Sequence, residues 1–157
     1  MHRTVALDAF DLRLLAALQA DGRLTNQQAG ELIGLSPSQC SRRRAALEGA
    51  GVIRGYRAEL APEALGLAII AIIEVTMAAH SGDNARLFKE LVAPIDEIQE
   101  AFAVTGDTDY LLKAVVPDLR SLSVLVNEVL LPHRTVSRVR SSIVLERLKE
   151  GGKLPLG

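Results

Sequence analysis

TNQQAGELIGLSPSQCSRRRAALEG, residues 25–49, holds two helix starts separated by a single stop. Thr25 suits the N-cap of a short helix over 26–33, with Ala29, Leu32 and Ile33 as its apolar face and Gly34 as its end. Ser36-Pro37 opens another over 37–50, because a serine hydroxyl caps free N–H groups and proline suits the first helical position. Only Gly34 and Leu35 lie between them, so the two axes cross sharply, as in a helix-turn-helix. Gly30 fits that crossing, which leaves room for a side chain no larger than alanine, at a propensity cost of roughly 0.5–1 kcal/mol.

Upstream, Leu7, Phe10, Leu14, Leu15 and Leu18 follow helical spacing, with Asp8 and Asp11 where the helix dipole favours acids and Asp21-Gly22 as the stop. On the helix over 37–50, a step of 100° per residue puts Leu47 and Arg44 within about 40° of Cys40. Cys40 and Leu47 therefore mark the buried side, and Cys40 reads as a small core residue. Ser38 and Arg42 point the opposite way, flanked by Gln39 and Ser41. Small hydroxyls, an amide and a guanidinium are groups that reach base edges and phosphates in a major groove. Arg43 and Arg44 sit at the boundary, where an arginine stem lies along the core edge and its head reaches a phosphate. An SRRR tract taken alone is most simply a solvated face; its setting between capped helices favours nucleic acid. Val52 to Leu60 (VIRGYRAEL) reads as a short pairing strand carrying two more phosphate contacts, Arg54 and Arg57.

Composition agrees with a local partner. The chain has 157 residues, 48% apolar, 24% charged and 3% aromatic, enough for one ordinary domain or two small ones. Its net charge is −1, but residues 1–60 carry eight Arg against six acids, whereas residues 61–157 carry ten basic against thirteen acidic side chains. The basic excess lies in the N-terminal part alone. Mean hydropathy is +0.20, yet the longest uncharged stretch, Ala64 to Ile73, is about half of what a bilayer requires. No membrane partner is expected, and the N-terminus MHRTVALDAFD has no apolar core of a signal peptide, so the expected location is the cytoplasm. One cysteine and the scattered His2, His80 and His133 give no metal-ligand spacing, and no cofactor is expected.

Beyond a linker at 61–66, the pattern is strand 67–77, helix 84–93 with Asp83 as cap, strands 98–105 and 110–116, helix 118–131 and strand 136–145. The order βαββαβ is that of a ferredoxin-like sheet with both helices on one face. Along the last strand Ser137, Val139, Ser141, Ile143 and Leu145 point one way, and Val136, Arg138, Arg140, Ser142 and Val144 the other. A half-apolar bare face predicts pairing with a second copy. Few aromatics and net acidity disfavour RNA on this sheet. There is no phosphate loop, HExxH or GxSxG, so an enzyme is not expected. The turn TGDTDY, 105–110, gathers N–H groups and carboxylates at one sheet edge. Those groups complement a free α-amino acid; the plainer alternative is a hairpin whose aspartates bond their own backbone.

Taken together, LDAFDLRLLAALQADGR (7–23), GLSPSQCSRRRAALEGAGVIRGYRAEL (34–60), LG (65–66), TGDTDYLLKAVVPD (105–118) and SSIVLERLK (141–149) resemble the Lrp/AsnC, or feast/famine, transcriptional regulators over essentially the whole chain. The resemblance implies an α+β protein: a winged helix-turn-helix at 1–60, a linker at 61–66, and a βαββαβ ligand-sensing and oligomerisation domain at 67–157. It implies double-stranded DNA and a small-molecule effector, an amino acid, as partners, and homodimers assembling to octamers. Ser36, Ser38, Gln39, Ser41, Arg42, Arg43, Arg44, Arg54 and Arg57 become the DNA-binding set. Thr105, Gly106, Asp107, Thr108, Asp109 and Tyr110 become effector contacts, completed from another subunit by Arg140, Ser141 and Ser142. Two residues depart from the family pattern: Arg44 replaces an aliphatic residue, and Thr135 a glycine before the last strand. The alternative function is a ligand-independent architectural protein that wraps DNA.

Overall fold

The computed structural model describes residues 5–156, so His2 and the first four residues of the N-terminal reading lie outside it. The chain divides into two compact units: the residues up to Glu59 together with the tail from Lys149, and Leu60–Leu148.

Three helices build the first unit: α1 (Ala9–Ala20), α2 (Asn26–Ile33) and α3 (Pro37–Gly49). Each begins with a reciprocal cap, Asp8 with Asp11, Thr25 with Gln28 and Ser36 with Gln39, so orphan N–H groups find acceptors within four residues of sequence. Leu14, Leu15 and Leu18 of α1, Ala29 and Ile33 of α2, and Cys40 and Leu47 of α3 form the core. Leu32, expected on the buried face of α2, is 67% exposed; Gly30 takes its place against the turn. The crossing is tighter than the sequence suggested. A Cβ on Gly30 would overlap the Leu35 carbonyl oxygen, so even alanine does not fit. Gly34 closes α2 at φ 77°, a left-handed turn that glycine makes without strain.

The pairing strand expected over Val52 to Leu60 does not form. Val52 and Ile53 donate to the Leu47 carbonyl and pack on the core, and from Arg54 the chain runs on without regular structure. Nor does the tail belong to the sheet unit. The Gln19 side-chain amide accepts from Leu154 N at 2.7 Å and donates to its carbonyl at 3.3 Å, and Leu156 packs on the helical core. Contacts of that sequence separation leave no periodic trace.

In the second unit, the expected linker forms a 3-10 turn, Pro62–Leu65, closed by Gly66 at φ 76°. Then follow β1 (Ile69–Met77), α4 (Gly82–Val92), β2 (Ile98–Ala103), β3 (Tyr110–Val116), α5 (Leu119–Val124) running into a π-helical turn (Leu125–Leu130), and β4 (Val136–Ile143). The antiparallel sheet has the order β2-β3-β1-β4, the ferredoxin-like arrangement. Ser81, not Asp83, caps α4. Ala71, Ile73, Val75 and Met77 face the helices with Leu112, Ala114 and Val116, and Phe88 of α4 fills the space between. On β4 a register shift at Thr76/Met77 pairs Val136 with Met77 and buries it, although simple alternation assigned it to the other face. Thr135, fully buried, is satisfied by His133 Nδ1 at 2.8 Å. Among the described residues no helix is long and apolar enough to cross a membrane.

Candidate nucleic-acid interface and effector turn

The first turn of α3 ties three of the sequence-predicted residues into its cap. Ser36 Oγ accepts from Gln39 N, while Gln39 Oε1 accepts from both Ser36 N and Ser36 Oγ at 3.0 Å. Ser38 Oγ lies 3.1 Å from Ser36 Oγ. Ser36 and Gln39 are thus held within the cap, with the Gln39 amide nitrogen left over for an outside acceptor. Ser38, Ser41 and Arg42 are exposed on one side of α3, opposite buried Cys40. Arg42 has no hydrogen bond or ion pair among the described residues; it borders a groove of about 380 Å³ between α3 and residues 5–7.

The other two arginines of the tract turn inward. Arg43 Nη1 donates to Asp8 Oδ2 at 2.8 Å and to Asp11 Oδ1 at 2.7 Å. Its guanidinium lies over the Phe10 ring. The two carboxylates hold the Arg43 pKa above its ordinary value, Asp11 contributing most. Arg44 stacks on Tyr56, its guanidinium 4.8 Å from the ring centroid, and donates to Tyr56 Oη at 2.7 Å and to the Leu24 carbonyl at 3.0 Å. The arginine where an aliphatic residue was expected therefore satisfies its donors on Tyr56 and on the α1–α2 connection. Arg54 and Arg57 are exposed and have no polar partner among the described residues. Tyr56, which sequence reasoning passed over, sits between them; its only signal was an aromatic in a basic, glycine-containing segment.

In the second unit the turn 105–110 splits into two halves. Thr105, Gly106 and Asp107 are exposed and have no hydrogen bond among the described residues, with Gly106 at φ 124°. Thr108 and Asp109 fold the turn onto the end of β1. Thr108 Oγ1 donates to the Val75 carbonyl at 3.0 Å, as does Asp109 N, and Asp109 Oδ2 accepts from Met77 N at 2.7 Å. Asp109 Oδ1 faces His80 Nδ1 at 3.3 Å. Both side chains border a cavity of about 470 Å³ with Met77, Val104 and Tyr110, whose ring lies 4.6 Å from that of Phe88. Arg140, Ser141 and Ser142 pair with Glu74, Ile73 and Ile72, progressively further along β1 from the turn. Arg140 faces Glu74 at 3.7 Å. Within one chain, then, β4 does not close the site. No group of three or more potential metal ligands occurs among the described residues.

Comparison with known proteins agrees with both halves. Residues 7–48 match the AsnC-type helix-turn-helix domain and residues 70–154 the Lrp/AsnC ligand binding domain. The leucine-responsive regulatory protein of Escherichia coli is 38% identical over 148 residues, covering 94% of this chain and 90% of that one. A transcriptional regulator of Neisseria meningitidis, solved in complex with L-Met, superposes with a TM-score of 0.92 at 41% identity, covering 96% of this chain and 97% of that one. An AsnC family regulator of Agrobacterium tumefaciens gives 0.89 at 31% identity, with 96% and 97% covered. An AsnC-type helix-turn-helix followed by the Lrp/AsnC ligand binding domain, over nearly the full length of such relatives, makes this chain a member of the Lrp/AsnC family of DNA-binding transcriptional regulators.

Proposed function

We propose that the protein binds DNA sequence-selectively through α3 and that a free amino acid, bound at the 105–110 turn, changes that binding. The observation that carries the first half is the outward set Ser38, Ser41 and Arg42, exposed together and with Arg42 uncommitted. Base edges and phosphates are the complementary chemistry. Arg54 and Arg57 supply further phosphate contacts. Gln39 contributes its amide nitrogen, and Ser36 its cap. Arg43 and Arg44 contribute field rather than contact, since their donors are already engaged.

For the effector, Thr105, Gly106 and Asp107 offer a carboxylate and free backbone groups that complement the ammonium and carboxylate of an amino acid. The L-Met held by the Neisseria relative makes methionine the first ligand to try. Arg140, Ser141 and Ser142 complete this site from another subunit. The sheet face bearing Ile72, Leu111 and Phe102 supports the dimer, because it lies opposite the helix-packed core and leaves Phe102 49% exposed. Octamers built from such dimers would bring turns and β4 strands of different copies together, in the cytoplasm where the DNA lies.

Fluorescence anisotropy on the duplex upstream of the protein's own gene, against an unrelated duplex at two salt concentrations, tests the first half. Preference for the upstream duplex supports a selective regulator; equal binding supports an architectural protein that wraps DNA. A melting temperature that rises with L-methionine supports the effector half, and a flat response to all amino acids removes it.

A further inference from the structure

We propose that Tyr56 is a positioning residue that makes the strandless segment 52–57 into a second DNA-contacting arm, through its clamp on Arg44. The inference rests on the reading of Arg54 and Arg57 as phosphate contacts. No backbone group of residues 54–60 enters a backbone–backbone hydrogen bond among the described residues. Hydrogen bonds hold the segment at two places instead, and residues 52–57 also border a groove with Leu154 and Leu156. At one end Val52 N and Ile53 N donate to the Leu47 carbonyl at the close of α3. At the other, the Tyr56 hydroxyl accepts from Arg44 Nε at 2.7 Å and donates to Glu48 Oε1 at 2.9 Å.

The ring is contacted on two sides while remaining 45% exposed. Arg44 lies over one part of it, and Gly22 borders its edge, where a Cβ would sit 3.4 Å from Cδ1 in ordinary van der Waals contact. Arg44 is in turn held by the Leu24 carbonyl. Tyr56 therefore anchors the exit segment to α3 and to the α1–α2 connection at once, and the two uncommitted arginines flank the anchored residue. A β-wing would hold such arginines by strand pairing; here one aromatic–guanidinium clamp does so. Arg44 is then part of the DNA-binding apparatus by placing other cations, and makes no phosphate contact itself.

The test is the salt dependence of binding to a mixed-sequence duplex, where the slope of log Kd against log salt counts phosphates engaged. Arg54→Ala/Arg57→Ala should lower that slope by roughly 1.8, two phosphates at about 0.9 each. Tyr56→Ala should lower it by at least half as much in the natural chain, and change affinity less than about twofold in the Arg54→Ala/Arg57→Ala background, because coupled residues are not additive. Tyr56→Phe, which keeps the ring under Arg44 but loses both hydroxyl hydrogen bonds, should recover only part of the slope. Far-UV circular dichroism identifies any variant that fails to fold, and Tyr56→Leu then replaces Tyr56→Ala. An unchanged slope in a folded Tyr56 variant overturns the proposal, as does an equal loss in both backgrounds, which would place the action of Tyr56 on α3. A natural slope in Arg54→Ala/Arg57→Ala instead removes the arm from the DNA reading, a separate failure.

Discussion

Arg43 on α3 donates to Asp11 on α1 at 2.7 Å, across 32 residues of sequence. The same nitrogen reaches Asp8, the N-cap of α1, so one guanidinium fixes α3 against the start of the first helix. The three consecutive arginines therefore have three different environments, although they are identical in sequence. Arg42→Ala should weaken DNA binding and reduce the salt slope by about 0.9, as loss of one phosphate contact does. Arg43→Ala should instead lower the melting temperature of the helical unit and leave the slope unchanged. Equal slopes for Arg42→Ala and the natural chain would take Arg42 off the DNA.

Gly30→Ala sets two effects against each other. Replacing a helical glycine relieves up to about 1 kcal/mol of backbone entropy cost. Forcing a methyl group into the Leu35 carbonyl costs about 1–3 kcal/mol, as overpacking generally does. The steric cost prevails, because backbone on both sides of the two-residue turn cannot yield separately. Urea denaturation should show a lower midpoint, and DNA binding should fall because the angle between α2 and α3 changes.

The features legible in sequence were those decided by near neighbours. Thr25, Gly34 and Ser36-Pro37 act within four residues, so the helix boundaries they imply agree with the structure to within a residue. Cys40 and Leu47 were placed by periodicity. What escaped depends on distant partners: Asp8 and Asp11 for Arg43, Tyr56 and Leu24 for Arg44, and Leu154 for Gln19. A one-residue register shift moved Val136 to the opposite face, and alternation has no means to anticipate it. Ser81 and Asp83 are both competent caps, and only the backbone path chooses Ser81. For the 105–110 turn, the composition showed two carboxylates but not that Asp109 folds onto the end of β1 while Asp107 is exposed.

Acid sensitivity should come from the capping aspartates. The Asp11 N–H, then the Arg43 guanidinium, hold the Asp8 carboxyl below the usual aspartate range; the Ser121 N–H does the same for Asp118 at α5. A folded-state pKa below the unfolded one gives stability that is present above the unfolded value, about 3.9, and is lost as pH falls through the folded value. Asp8→Asn and Asp118→Asn keep a capping oxygen but do not titrate. Melting curves between about pH 5 and 2.5 should therefore be flatter for these variants than for the natural chain. An identical acid limb in all three would assign the loss to other groups.

Asp107 and Asp109 should separate cleanly by the quantity each one moves. Asp109→Ala leaves the partly buried Met77 N–H without its acceptor, which costs about 1–3 kcal/mol and loosens the turn on β1. Asp107 is exposed and makes no hydrogen bond among the described residues, so Asp107→Ala should alter stability by less than about 0.5 kcal/mol. Its effect should appear with ligand. In the natural chain L-methionine at 100 times its Kd should stabilise the protein by about 2.7 kcal/mol, and Asp107→Ala should abolish most of that gain. A carboxylate that only solvates the hairpin would leave the ligand response intact in Asp107→Ala. The same response lost in Asp109→Ala alone would shift the ammonium contact to the oxygen facing His80, where the 470 Å³ cavity has room for the effector's side chain.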